Sequence, residues 1–154
     1  MPEVEHKLTS MGLELPTEPE PLAQYVPAKR VGDMVYVSGQ VPVRNGEFVH
    51  VGAVGDELTV EQGRECARVC VLNALAAVKS VIGDLDGVAE IVQVRGFVNS
   101  APGFGEQPEV LNAASELLVE LFGENGRHAR AAVGTSALPR NLPVELEMVV
   151  RVAD

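Results

Sequence analysis

The sequence predicts an α+β protein of one domain, a sheet of short strands packed with two long helices, and three observations carry that prediction. Met34 to Val37 and Leu142 to Val152 alternate apolar and polar residues with the period of two that a half-buried strand requires. Between them, about Thr59 to Ile82 and Glu109 to Phe122 repeat apolar residues every three to four positions, the period of a helix packed along one side. The 154 residues suffice for one core without disulfide staples and leave no room for two sizeable domains.

Residues 1–22 read as an extended lead-in, because Pro16, Pro19 and Pro21 stand among acidic residues and disfavour a continuous helix. Leu8, Met11, Leu13 and Leu15 can pin part of it as a short turn and strand. Residues 23–154 form the single domain. The turn pair Gly32 and Asp33 leads into the strand Met34 to Val37, and Gly39 ends it or brings the backbone close to something. Val41 to Val43 and Glu47 to Val49 flank Arg44, Asn45 and Gly46. Asn-Gly is a strong hairpin signal, so three consecutive local antiparallel strands are expected.

Thr59 suits a helix N-cap, with Gln62 at the third helical position and Glu61 near the positive end of the dipole. The packed face of that helix runs through Cys66 or Ala67, Cys70, Ala74, Ala77 and Val81, residues small enough for close approach to a sheet. Gly83 to Gly87 ends it. The next strand, Glu90 to Val98, sets Ile91, Gln93, Arg95 and Phe97 on one face and Val92, Val94 and Val98 near the other. Asn99 to Gln107 reads as a surface loop, and Pro108 suits the first turn of the second helix. After Gly123 to Gly126, Ala131 to Thr135 forms a short strand. In the last strand Val144, Leu146, Met148 and Val150 alternate with Glu145 and Glu147. The order β-β-β-α-β-α-β-β excludes a doubly wound nucleotide-binding sheet. Both helices on one face would leave Val92, Val94 and Val144 in need of cover on the other, and an oligomer supplies it.

Twelve Lys and Arg against 22 Asp and Glu give a net charge of −10, a field that repels nucleic acid. Cys66 and Cys70 lack a second ligand pair for zinc and read as buried free thiols. His6, His50 and His128 show no spacing that identifies a base for a serine nucleophile, and HExxH, GxGxxG and GxxxxGK[ST] do not occur. No metal or organic cofactor is therefore expected. Residues 1–15 lack the apolar centre of a secretory signal, and no run approaches 18 apolar residues, so the expectation is a soluble, cytoplasmic protein with no membrane partner.

Candidate chemistry rests on few residues. Arg130 follows a glycine-rich turn and leads into an apolar strand, where its guanidinium suits either a carboxylate ligand or a surface or interface salt bridge. Glu145, if partly buried, gains a raised pKa and can handle protons; otherwise it and Glu147 are two acids on a wet face. Ser38, Gly39 and Gln40 can offer backbone groups to a small ligand. His128, beside Arg127 and Arg130, reads as structural or solvent-facing.

Three blocks resemble the RidA (YjgF/YER057c/UK114) family: YVPAKRVGDMVYVSGQ from Tyr25 to Gln40, the helix pair with Asn112, and RAAVGTSALPRNLPVELE from Arg130 to Glu147. The resemblance covers nearly everything after residue 20. The lead-in and the loop NSAPGFGEQP, Asn99 to Pro108, resemble a divergent branch. It implies a chorismate-mutase-like subunit, one mixed sheet with two helices on one face, in a homotrimer with three intersubunit clefts. It also implies hydrolytic deamination of enamine and imine intermediates to 2-oxo acids and ammonia. In those positions Arg130 would bind the substrate carboxylate and Glu145 would orient or activate water. Ser38 and Gly39 would line the cleft, completed by Tyr25 and Asn112. The sequence departs from the family at Ala132, commonly a reactive cysteine, and at Pro27. A non-catalytic small-molecule-binding or regulatory trimer is the alternative, and an endoribonuclease, the activity named for L-PSP-like relatives, fits less well with the acidic charge.

Overall fold

The computed structural model describes residues 2–17 and 23–153. Its elements are α1 (Glu3–Ser10), β1 (Ala28–Val31), β2 (Met34–Gln40), β3 (Val43–Arg44), β4 (Glu47–Phe48), α2 (Val60–Ile82), β5 (Val88–Asn99), α3 (Gln107–Phe122), β6 (Ala129–Thr135) and β7 (Val144–Val152). Short 3-10 turns lie at Leu85–Gly87, Gly123–Gly126 and Pro139–Asn141.

Thr59 caps α2 as its sequence position dictates. Its hydroxyl accepts from the Gln62 N–H at 3.1 Å, while the Gln62 side chain accepts from the Thr59 N–H at 2.9 Å. This reciprocal pair satisfies two donors that a helix start leaves open. The buried face of α2 is built from Cys66, Ala67, Cys70, Val71, Ala74, Leu75, Ala77 and Val78. It crosses β2 and β7, while α3 lies over β5 and β6. Gly96 on β5 allows that approach, because a Cβ there would collide with Leu111 of α3.

The main sheet has five strands in the order β1-β2-β7-β5-β6. Only β5 and β6 run parallel, joined through α3, so the sheet is mixed with its helices on one face. Cys66 and Cys70 are buried free thiols, and burial pushes Cys66 up to about 12, which keeps it protonated and inert.

Four expectations need correction. Residues 3–10 form a helix instead of an extended lead-in. Pro16 lies downstream of it, and Pro19 and Pro21 fall outside the described residues. The Asp86 carboxylate accepts from the N–H groups of Glu3 and Val4 at 2.7 and 2.9 Å, a cap supplied from 83 and 82 residues away. Val4 and Leu8, one turn apart, then bury against the core, with Met11, Leu13 and Leu15 packed partly beside them.

A strand before Met34 was absent from the expected order. β1 pairs with β2 across the Gly32-Asp33 turn, Val31 opposite Met34. The Asn45-Gly46 hairpin forms, but β3 and β4 pair only with each other in a separate two-stranded sheet. The Asn73 amide of α2 holds this segment through the Val41 and Val43 carbonyls.

The last correction concerns the sheet faces. A bulge between Ile91 and Gln93 shifts the alternation of β5, so Ile91, Val94 and Val98 all point beneath the helices, with Val144 beside them. These residues are fully covered by the chain's own helices. The opposite face is mixed, with Arg95 paired to Glu147 at 2.6 Å and with Val31, Tyr36 and Val133 about half exposed on it. Val94 and Val144 therefore supply no argument for an oligomer.

Candidate functional site

Arg130 stands on β6 opposite Val94 of β5, so its side chain leaves the sheet on the helix side and meets α3. There Nη1 donates to the Asn112 Oδ1 at 2.9 Å and to the Ser115 Oγ at 3.2 Å. Asn112 and Ser115 are three residues apart and share one face of α3. Among the described residues, Nε and Nη2 of Arg130 make no hydrogen bond, and the guanidinium has no carboxylate within ion-pair distance. The surface salt bridge expected as one alternative is absent there. What remains is a half-buried cation in an acidic chain, held by one nitrogen with its forked edge open.

His128 belongs to the same group. Its Nδ1 lies 2.7 Å from the Gly126 carbonyl and its Nε2 2.9 Å from the Ser115 Oγ. Burial lowers its pKa, and the Arg130 guanidinium lowers it further. Sequence reading set His128 aside as structural or solvent-facing and missed Ser115; the helical spacing from Asn112 was the available signal. Ala132, two residues along β6, lies on the Arg130 side, opposite Gly96.

Glu145 is placed differently. It lies between Val144 and Leu146, both fully buried beneath the helices, and opposite Phe97, so it projects from the other side of the sheet. Gly39 is beside it: a Cβ at that position would collide with the Glu145 carboxylate. The strand bulge after Val37 aims this part of β2. Ser38 donates its hydroxyl to the Val26 carbonyl at 2.6 Å, and its N–H to the Pro27 carbonyl at 2.8 Å, which fastens the segment carrying Tyr25 to the end of β2. The Gln40 amide donates to the Ser38 carbonyl at 3.1 Å. Tyr25 itself is 53% exposed.

The candidate residues thus fall into two groups: Arg130, Asn112, Ser115 and His128 on the helix side of the sheet, and Glu145 with Gly39 on the other, Ser38 and the segment carrying Tyr25 being fastened to the chain next to Gly39. A single chain does not bring Arg130 and Glu145 into one volume.

Burial raises the pKa of Glu145, and the neighbouring Glu147 charge adds to that. Replacing Glu147 with glutamine removes the like charge and frees Arg95, so the Glu145 carboxyl is expected to titrate at lower pH. A carbonyl-carbon NMR titration reads the shift directly; an unchanged or raised midpoint would contradict it.

Among the described residues no cluster of three His, Cys, Asp or Glu is placed to hold a metal, and no helix is long and apolar enough to cross a membrane. The loop is shorter than expected, Ser100 to Glu106, because Asn99 ends β5 and Gln107 opens α3, and it is tied down by Gln107, whose amide donates to the Ser100 hydroxyl and the Phe104 carbonyl.

Residues 5–150 match the family described as "YjgF/chorismate mutase-like, putative endoribonuclease". The chain belongs to this family, the YjgF/RidA family. Protein TCP17 of Trypanosoma cruzi is 40% identical over 144 residues, spanning 93% of this chain and 90% of that protein. A 2-iminobutanoate/2-iminopropanoate deaminase of Dermatophagoides farinae is 29% identical over 140 residues, 90% and 93% of the two chains. The crystal structure of Atu1372 from Agrobacterium tumefaciens superposes with a TM-score of 0.92 at 40% identity, covering 97% of this chain and 92% of that one. The YjgF/RidA fold is therefore present from β1 to β7.

Proposed function

We propose that this YjgF/RidA-family protein hydrolyses 2-imino acids, and the enamines in equilibrium with them, to 2-oxo acids and ammonia. We place the reaction in a homotrimer whose clefts each join the Arg130 group of one subunit to the Glu145 group of the next. The observation that carries the reading is the Arg130 guanidinium, anchored among the described residues through Nη1 alone. Its Nε and Nη2 edge matches the two oxygens of a carboxylate. The resemblance to a 2-iminobutanoate/2-iminopropanoate deaminase supplies a substrate class that bears one.

The chemistry fits these residues without a metal or cofactor. The carboxylate clamp fixes the substrate, and its imine carbon is the electrophile. With the imine protonated, Glu145, whose pKa is raised, takes a proton from water as the oxygen bonds to that carbon, giving a neutral carbinolamine. Glu145 returns that proton to nitrogen, and the C–N bond breaks as the hydroxyl proton passes to the Glu145 carboxylate, leaving the 2-oxo acid and ammonia, which takes up that proton and leaves as ammonium. Ser38 and Gly39 line the Glu145 side, Tyr25 borders it, and Asn112 keeps Arg130 in place. The net charge of −10 favours this reading over RNA cleavage.

The test generates 2-iminobutanoate in situ with an amino-acid oxidase and follows its decay. Wild-type protein is expected to accelerate it, and Glu145→Gln to lose about 100-fold or more of that acceleration, the usual worth of a positioned acid–base group. Decay equal to the protein-free control across several side-chain lengths would refute the deaminase. Binding of the 2-oxo acid without turnover would identify a ligand-binding trimer instead.

A further inference from the structure

The contacts around Arg130 form a chain with one possible direction. The Gly126 carbonyl is an acceptor only, so the Nδ1 atom of His128, 2.7 Å away, must carry the proton. In the neutral ring Nε2 is then bare and accepts the Ser115 hydroxyl proton at 2.9 Å. With its proton committed to the ring, the Ser115 oxygen turns its lone pairs to the Arg130 Nη1 donor at 3.2 Å. The sequence of donations runs from Arg130 to Ser115 to His128 to the backbone.

A proton on His128 reverses the middle of that chain. Both ring nitrogens become donors, Ser115 must accept from Nε2, and a second positive charge sits behind a guanidinium already short of counter-charge. We propose that Ser115 and His128 are positioning residues that hold Arg130 in its carboxylate-binding pose, and that protonating His128 releases it. The proposal rests on the reading of Arg130 as a carboxylate ligand and adds a pH control to that same site.

Groups around the ring agree with this assignment. From α3 it faces the uncharged Ser115 hydroxyl, from the 3-10 turn the Gly126 carbonyl, and from β6 the Arg130 cation. The nearby acids are committed elsewhere, Glu116 to Arg64 at 2.9 Å and Glu124 to Arg127 at 3.1 Å. The fold thus keeps the ring neutral near pH 7, and the change falls below the ordinary histidine value of about 6.5. Glu145 cannot mimic the effect. Its protonation removes a negative charge from the cleft and strengthens anion binding, the opposite sign.

Two measurements test this on the full-length protein, with 2-oxobutanoate as the probe. In calorimetric titrations, wild type is expected to bind with constant affinity from pH 7 to 8.5 and about fivefold or more weaker at pH 5.5. His128→Gln, whose amide stays neutral, gives a flat profile at an affinity about threefold lower, and Ser115→Ala binds more weakly with a blunted acid step. Nitrogen-15 NMR of the Arg130 guanidinium gives the ligand-free readout: slow, distinct Nη signals at pH 8 that average at pH 5.5 in wild type but not in His128→Gln. An acid step that persists in His128→Gln, or Arg130 signals indifferent to pH in wild type, overturns the proposal. Absence of 2-oxobutanoate binding at every pH, with the Arg130 signals still governed by His128, refutes the carboxylate reading while leaving the positioning role standing.

Discussion

Replacing Arg130 with alanine is expected to lower kcat/KM for 2-iminobutanoate by about 30- to 5,000-fold, the range that corresponds to losing one partner of a desolvated, hydrogen-bonded charge pair at 2–5 kcal/mol. Lysine should not rescue it. The Asn112 and Ser115 contacts both come from one Nη1, and the carboxylate needs the two adjacent N–H groups on the other edge. An ammonium can serve one role or the other. Thermal unfolding should move little, because Arg130 is only half buried, has no ion pair among the described residues, and leaves behind an Asn112 oxygen that water can reach. The pairing of a large kinetic loss with a small stability loss separates a ligand-binding guanidinium from a structural one. A kcat/KM within threefold of wild type in Arg130→Lys would remove the clamp from the mechanism.

Local signals in the sequence were sufficient wherever one element carries its own pattern. The Thr59 and Gln62 cap, the small-residue face of α2, the Asn45-Gly46 turn and the strict alternation of β7 all report short-range physics, and all appear in the fold. Failures came where a distant residue decides. The first helix starts at Glu3 because Asp86 accepts its open N–H groups, a contact no window of neighbouring residues contains. Ile91 was assigned to the wrong face of β5 because one extra residue in a bulge between Ile91 and Gln93 inverts the alternation just before it, and period-two reasoning has no term for that insertion.

The candidate site divides in the same way. Arg130 and Glu145 were visible as residues of the right type in a family pattern, and the raised pKa expected for a partly buried Glu145 follows from its surroundings in the fold. Their placement on opposite faces follows from strand parity together with the parallel pairing of β5 and β6, which only the assembled sheet reveals. Ser115, and with it the link from His128 to Arg130, escaped notice because a serine–histidine contact across 13 residues joins a helix to the turn before a strand.

Opposite faces also make an expectation that neither single variant can test. If each cleft takes its Arg130 group from one subunit and its Glu145 group from the next, two inactive proteins should complement each other. In cyclic trimers assembled at random from equal amounts of Arg130→Ala and Glu145→Gln chains, a cleft works when the arginine side comes from the second variant and the glutamate side from the first, which occurs in about a quarter of clefts. Co-refolding the two variants should therefore restore about 25% of wild-type activity, at least an order of magnitude above either alone when each has lost 100-fold. Sites built within one chain give no recovery, because every Arg130 in such a site shares its chain with a Glu145 and one of the two is always missing. Activity that stays at the level of the separate variants after verified mixing of subunits would rule out the shared cleft. Recovery that rises and falls with the product of the two variants' fractions would fix its geometry as one group from each neighbour.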